Sequence, residues 1–254
     1  MLSQYLTSEL FSFLLVFCRI GSAMMLLPGF GEAYVSSRIR LLLALMFSLL
    51  LAPVLTVMPP PPSSVSGLAI LIITETLIGL FFGVITRILI AAIHMGGMII
   101  ALQSSLASAL TQDVTQTQGQ ASSLGNLLGM TALVLMFSTD LHHVILSGLA
   151  DSYNLFTPGV FPIVGDFSQH AITLLSGAFA AAIQMAAPHI VIGTILYLGA
   201  GIIARLVPNL QIFFLLMAPQ IFISLFILMV CFSAIMMWYI DYFRDTMAAF
   251  IAPR

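Results

Sequence analysis

Three charged side chains, Arg19, Glu75 and Arg87, stand inside long apolar runs. A charge at bilayer depth costs about 2.5–3.5 kcal/mol on insertion scales, so each needs a partner or a purpose. Two kinds of chemistry would use them. One is a proton or substrate relay. The other is ion pairing between helices or subunits, with backbone carbonyls as further acceptors for arginine. A relay wants several acids in register, and Glu75 is the only acid inside a helical run before Asp140. Pairing is therefore the better reading. Glu75 and Arg87 are twelve residues apart, too far to meet along one helix, so each must find its partner elsewhere.

His142 and His143 follow Asp140 in the string STDLHH. Adjacent histidines on a helix point to different sides and make a poor chelate, and the His-Glu-x-x-His spacing of zinc peptidases is absent. No metal site and no cofactor is expected. Nucleophile elbows, phosphate-binding loops and dinucleotide fingerprints are also missing, so the reading is a non-enzyme without catalytic residues. Cys18 and Cys231 lie far apart in apolar runs and read as small buried hydrophobes rather than a disulfide.

The elements that position these groups follow from composition. Of 254 residues, 61% are hydrophobic and 6% are charged, against about 25% charged in a soluble domain. Such a chain cannot cover a water-facing surface, and lipid or other apolar chains must be its main solvent. All seven basic residues are arginines, spread along a chain of net charge −2. That leaves no footprint for nucleic acid and no polybasic lipid cluster. The first residues lack a basic stretch and a cleavage site, so a removed signal peptide is not expected.

Apolar runs cover Leu10–Pro28, Ile39–Met58, Leu68–Thr86, Ile88–Leu102, Leu124–Phe137, Ala171–Ala204 and Leu210–Ile240. They are continuous rather than alternating, which predicts helices. Leu68–Leu102 as one helix would reach about 50 Å, well beyond a core of about 30 Å. Broken or hairpin helices packed against other subunits fit that length better. Pro188 and Pro219 lie inside the last two runs and predict kinks. Pro28, Pro53 and Pro208 mark turns. Arg38, Arg40 and Arg205 suggest cytoplasmic connectors, whereas simple alternation puts Arg244 and Arg254 outside, against the positive-inside rule.

The segment Thr111–Ser123 is polar yet holds one charge, Asp113, among Gln112, Gln116, Gln118 and Gln120. An uncharged polar stretch between apolar helices suits the inside of a protein or a water-lined cavity. An ordinary surface loop is the competing reading.

Four stretches together resemble the FliR family of flagellar export-gate proteins, which has counterparts in injectisomes. They are Cys18–Leu55, with its arginine, Pro28, arginine-rich turn and the LAP containing Pro53; Gly83–Leu110; Leu133–Tyr153; and Ala187–Leu225, with Pro188, Arg205, Pro208 and Pro219. The chain departs from the family pattern at Asp113-Val114, Asp140-Leu141 and Pro208-Asn209. The resemblance implies an all-α integral membrane protein of long kinked helices and helical hairpins, built into a helical hetero-oligomer. It implies a FliP-like part at about residues 1–165 and a FliQ-like hairpin at about 166–254. The implied partners are several copies of FliP-type and FliQ-type subunits, FlhB- and FlhA-type proteins nearby, and unfolded flagellar subunits as cargo. The implied location is the bacterial inner membrane, at the flagellar basal body.

In that family a central loop plugs the closed pore. Here the corresponding segment is 106–123, with Leu106, Ser108, Gln112, Asp113, Gln116, Gln118 and Gln120 as the gating residues. Arg19, Glu75, Arg87 and Arg205 would serve assembly. Two other functions compete: an injectisome gate that secretes effectors, and a small secondary transporter. A transporter should show an internal repeat and converging intramembrane acids, and neither is evident.

Overall fold

A computed structural model describes residues 2–55, 58–105, 123–160, 164–206 and 212–251. Among these residues the regular structure is entirely helical: α1 (Leu2–Met24), α2 (Ser37–Leu51), α3 (Val65–Gln103), α4 (Ser123–Ser138), α5 (Leu141–Leu155), α6 (Val164–Leu206) and α7 (Ile212–Ile251). The protein is an all-α membrane protein. Helices α3, α6 and α7 are each long and apolar enough to cross a membrane, and α4 with α5 forms a fourth candidate broken between them. Helix α2 has 15 residues, about 22 Å at ~1.5 Å per residue, too short for a core of about 30 Å.

The expected break within Leu68–Leu102 is absent. Helix α3 runs unbroken for 39 residues. No proline interrupts it, and its polar side chains are met from the side without disturbing the backbone ladder. Pro188 and Pro219 likewise lie inside continuous helices and end neither of them.

Turn chemistry explains two of the connectors. At Leu27–Phe30, Pro28 is followed by Gly29 at φ 82°, and the Phe30 N–H donates to the Leu27 carbonyl at 3.2 Å. At Thr157–Val160 the same Pro-Gly pair recurs, with Gly159 at φ 91° and a 3.3 Å bond. Both match a type II turn, where proline sets the second position and glycine takes the left-handed third. Helix α2 is capped by the Ser36 hydroxyl, which accepts from the Ile39 N–H.

The chain forms two compact units. The first comprises Met1–Leu89, Thr139–Leu175 and Arg244–Arg254. Its core takes a stripe of residues three or four apart from each helix: Val16, Ile20 and Met24 of α1, Ile78, Phe82 and Ile85 of α3, and Leu141, Ile145 and Leu149 of α5. The second comprises Ile90–Ser138 and Ser176–Phe243. There Ile93 and Ile100 of α3, Leu128 and Ala132 of α4, Ala182 and Met185 of α6 and Tyr239 of α7 are buried. Large apolar side chains elsewhere point outward, among them Leu42, Leu49, Phe214, Phe222 and Met229.

Candidate functional site

The two intramembrane charges Arg19 and Glu75 meet inside the first unit. Arg19 Nε donates to Glu75 Oε2 at 2.6 Å, and both side chains are 0% exposed. Helix α1 supplies the arginine and α3 the acid. The remaining guanidinium hydrogens go to a third helix. Nη1 donates to the Ser152 carbonyl at 3.1 Å, and Nη2 to the Phe156 carbonyl at 3.0 Å. Both carbonyls lie at the C-terminal end of α5, where a cation complements the helix dipole; that of Ser152 also accepts the Phe156 N–H at 2.9 Å. The guanidinium carbon lies 4.0 Å from the centre of the Tyr153 ring, a cation–π contact. One arginine thus joins three helices, and its planar fork serves them in a way a lysine could not.

Gly79 makes the approach possible. A Cβ there would run into the backbone carbonyl of Arg19 and the hydroxyl of Ser22. Gly79 lies one turn beyond Glu75, so its missing side chain lets α1 settle where Arg19 can reach the acid. Gly83, a turn further, does the same against Ala23 and Leu26.

Arg87 finds its acid outside its own helix as well. Its Nη1 donates to Glu32 Oε1 at 2.8 Å, with side chains 47% and 25% exposed. Glu32 sits in the connector between α1 and α2, which Arg40 also braces by donating to the carbonyls of Glu32 and Val35 at 3.1 Å each. Arg205 is exposed in the last turn of α6, where its charge suits the carbonyl end of the helix.

The second unit holds a neutral polar seam that the residue types alone did not reveal. Gln220 of α7 donates to the carbonyl of Gln103, the last residue of α3, at 2.6 Å. Tyr197, on α6, is exposed, and its hydroxyl lies beside the side chains of Ser105 and Gln220. His189 Nε2 lies 3.3 Å from the Ser224 carbonyl, which fixes the proton on that nitrogen. The signal that could have found them is polar residues on one helix face, 189 and 197 eight apart and 220 and 224 four apart, inside runs where lipid offers no partner. A further contact missed in the sequence is the close approach of α3 and α4, Gly97 against Gly125 and the His94 ring against Gly129.

Asp140, His142 and His143 place one ligand atom each within 4.8 Å of one another. The histidine rings lie 4.2 Å apart, so the expected divergence of the two side chains does not hold. Asp140 takes φ 59° and starts α5, and the positive end of a helix dipole does not favour a cation. Cys18 and Cys231 are free and half-buried rather than fully buried. The segment holding Leu106, Ser108, Gln112, Asp113, Gln116, Gln118 and Gln120 lies outside the described residues, as does Pro208.

The fold and these sites define a multi-span helical membrane protein whose buried charges tie its own helices together. Residues 10–246 match the family of bacterial export proteins, family 1, and the chain belongs to that family. It is similar to the flagellar biosynthetic protein FliR of Caulobacter vibrioides, 32% identical over 93% of this chain and 94% of the relative. FliR of Bacillus subtilis is 32% identical over 88% of this chain and 87% of the relative. FliR of Aquifex aeolicus is 25% identical over 96% and 95%.

Proposed function

We propose that this chain is a core subunit of the flagellar protein-export gate in the bacterial inner membrane, forming and plugging the pore through which flagellar subunits leave. The observation that carries the reading is the length of exposed apolar surface. Helix α6 turns large apolar side chains outward from Ile172 to Leu206, about 50 Å of helix at ~1.5 Å per residue. A hydrocarbon core covers about 30 Å. The remainder needs protein over it, which a subunit built among other membrane subunits would have. Gly199 and Gly201 support this, since among the described residues nothing lies within 4 Å of where their side chains would start. A partner helix could approach closely there.

In this reading the partners are FliP-type and FliQ-type subunits, with FlhB- and FlhA-type proteins nearby and unfolded flagellar proteins as cargo. Residues 1–165 act as the FliP-like part and 166–254 as the FliQ-like hairpin. The segment 106–123 is the plug. Small and amide side chains such as Ser108, Gln112, Gln116, Gln118 and Gln120 make weak contacts that yield to cargo, whereas strong ion pairs would hold a pore shut. Arg19, Glu75, Arg87 and Arg205 secure assembly by fixing the shape each helix presents. The flagellar role is favoured over the injectisome by the names of the relatives. A transporter is disfavoured because Glu75, the acid it would use, is engaged by Arg19.

Native mass spectrometry of the tagged chain, co-expressed with its genomic neighbours, tests the proposal. One copy bound to several copies of two small membrane proteins is the expected result. A stable homo-oligomer without partners would overturn it.

A further inference from the structure

The start of α5 gathers three side chains that ligate metals. Asp140, His142 and His143 each place one ligand atom within 4.8 Å of the other two. The two imidazole centres stand 4.2 Å apart. Successive side chains on a helix point about 100° apart, so this closeness is not inherent in the helix. It comes from how the side chains turn, and both rings turn toward Asp140.

The backbone supports the arrangement. The His143 N–H donates to the Asp140 carbonyl at 3.0 Å, a bond between residues three apart. In such a turn side chains three apart stand nearly one above the other, which puts Asp140 and His143 on one edge. Asp140 takes φ 59° and, as the residue before α5, makes no side-chain capping bond. An aspartate at this position ordinarily accepts from the second or third helical N–H. Here its carboxylate leaves that role and lies with the imidazoles. Leu141, Ile145 and Leu149 are buried in the core and fix the turn from below. Asp140 and His143 are exposed and His142 is half-buried, so an ion can reach all three from outside the fold.

The donor set selects a class of ion. Two imidazole nitrogens and one carboxylate oxygen suit zinc and its first-row neighbours, whereas magnesium and calcium take oxygen ligands. Zinc holds such donors at about 2.0–2.2 Å, so two of them stand no more than about 4 Å apart. Closing from 4.8 Å takes a small rotation, which exposed side chains make readily. Three protein ligands leave one tetrahedral position for water or for a donor from another chain. The helix dipole opposes a cation here with about half a unit charge. The ionised carboxylate sets a full unit of the opposite sign against the ion itself, and so outweighs it.

We propose that Asp140, His142 and His143 bind one divalent transition-metal ion of the zinc type at the start of α5. The test is equilibrium dialysis of Zn²⁺ alone against the full chain in detergent, carrying a tag without histidine. One equivalent should bind. His142→Ala, His143→Ala and Asp140→Asn should each weaken binding at least about tenfold, since a ligand should matter no less than the groups that support one. Asparagine tolerates the left-handed backbone at 140, and the side chains of 140 and 143 are exposed, so these variants should fold. An unchanged helical circular dichroism spectrum checks this. His170→Ala is the control, an exposed histidine on α6, and should bind as the parent does. Excess Mg²⁺ should not displace the zinc. Binding that survives the histidine substitutions, or falls equally with His170→Ala, overturns the site, because scattered surface histidines would then account for it. Loss with both histidine variants but not with Asp140→Asn overturns the three-ligand assignment.

Discussion

Two arginine–glutamate pairs join the same parts of this chain at nearly the same sequence separation. Arg19 and Glu75 meet at 2.6 Å, and Arg87 and Glu32 at 2.8 Å. Distance does not distinguish them, but surroundings do. The first pair is 0% exposed on both sides, with two carbonyls and a tyrosine ring around the arginine; the second is 47% and 25% exposed. In a low-dielectric site, removing one partner strands a charge that nothing else can solvate. In a half-open site the survivor finds water or lipid headgroups. The same chemistry therefore contributes much to the stability of the folded chain in one place and little in the other.

The largest effect should come from Arg19→Ala or Glu75→Ala, which each leave an uncompensated buried charge and should cost about 3–5 kcal/mol. Loss of folded chain after membrane extraction, or a matching drop in unfolding midpoint, would show it. Replacing both, Arg19→Met with Glu75→Leu, should restore much of the loss, because buried pairs often do no better than apolar residues of similar volume. If the double variant is as poor as either single one, the charge argument fails, and the carbonyl bonds to α5 carry the stability.

A smaller loss, about 1–3 kcal/mol, is expected for Gly79→Ala, where the new methyl group meets backbone rather than a yielding side chain. Unfolding in detergent would measure it, and a neutral result would mean that α1 has room to retreat without losing the ion pair. Least of all should follow Arg87→Ala, at most about 1 kcal/mol by the same assay. A cost equal to that of Arg19→Ala would remove the distinction between the pairs.

How much of this was legible in the sequence depends on the range of the interaction. The all-α membrane class and the turn at Pro28 follow from composition and local geometry. The need of Arg19, Glu75 and Arg87 for partners followed from the cost of charge in lipid. Which partner each takes did not, because the pairs bridge 55 and 56 residues and depend on how α1 and α3 pack. The continuity of α3 was misread because its length was weighed against the bilayer, whereas the backbone responds to prolines and local bonds. The contacts of Gln103 with Gln220 and of His189 with Ser224 stayed hidden because neutral polar residues carry no label in an apolar run.

The central claim concerns the segment at 106–123, which is polar yet carries a single charge, Asp113. Its most direct test is ion flux through the assembled complex, in vesicles or whole cells, after deletion of residues 112–120. The account predicts a complex of normal subunit composition that leaks small ions at rest. A deletion complex that assembles normally and stays sealed would contradict it.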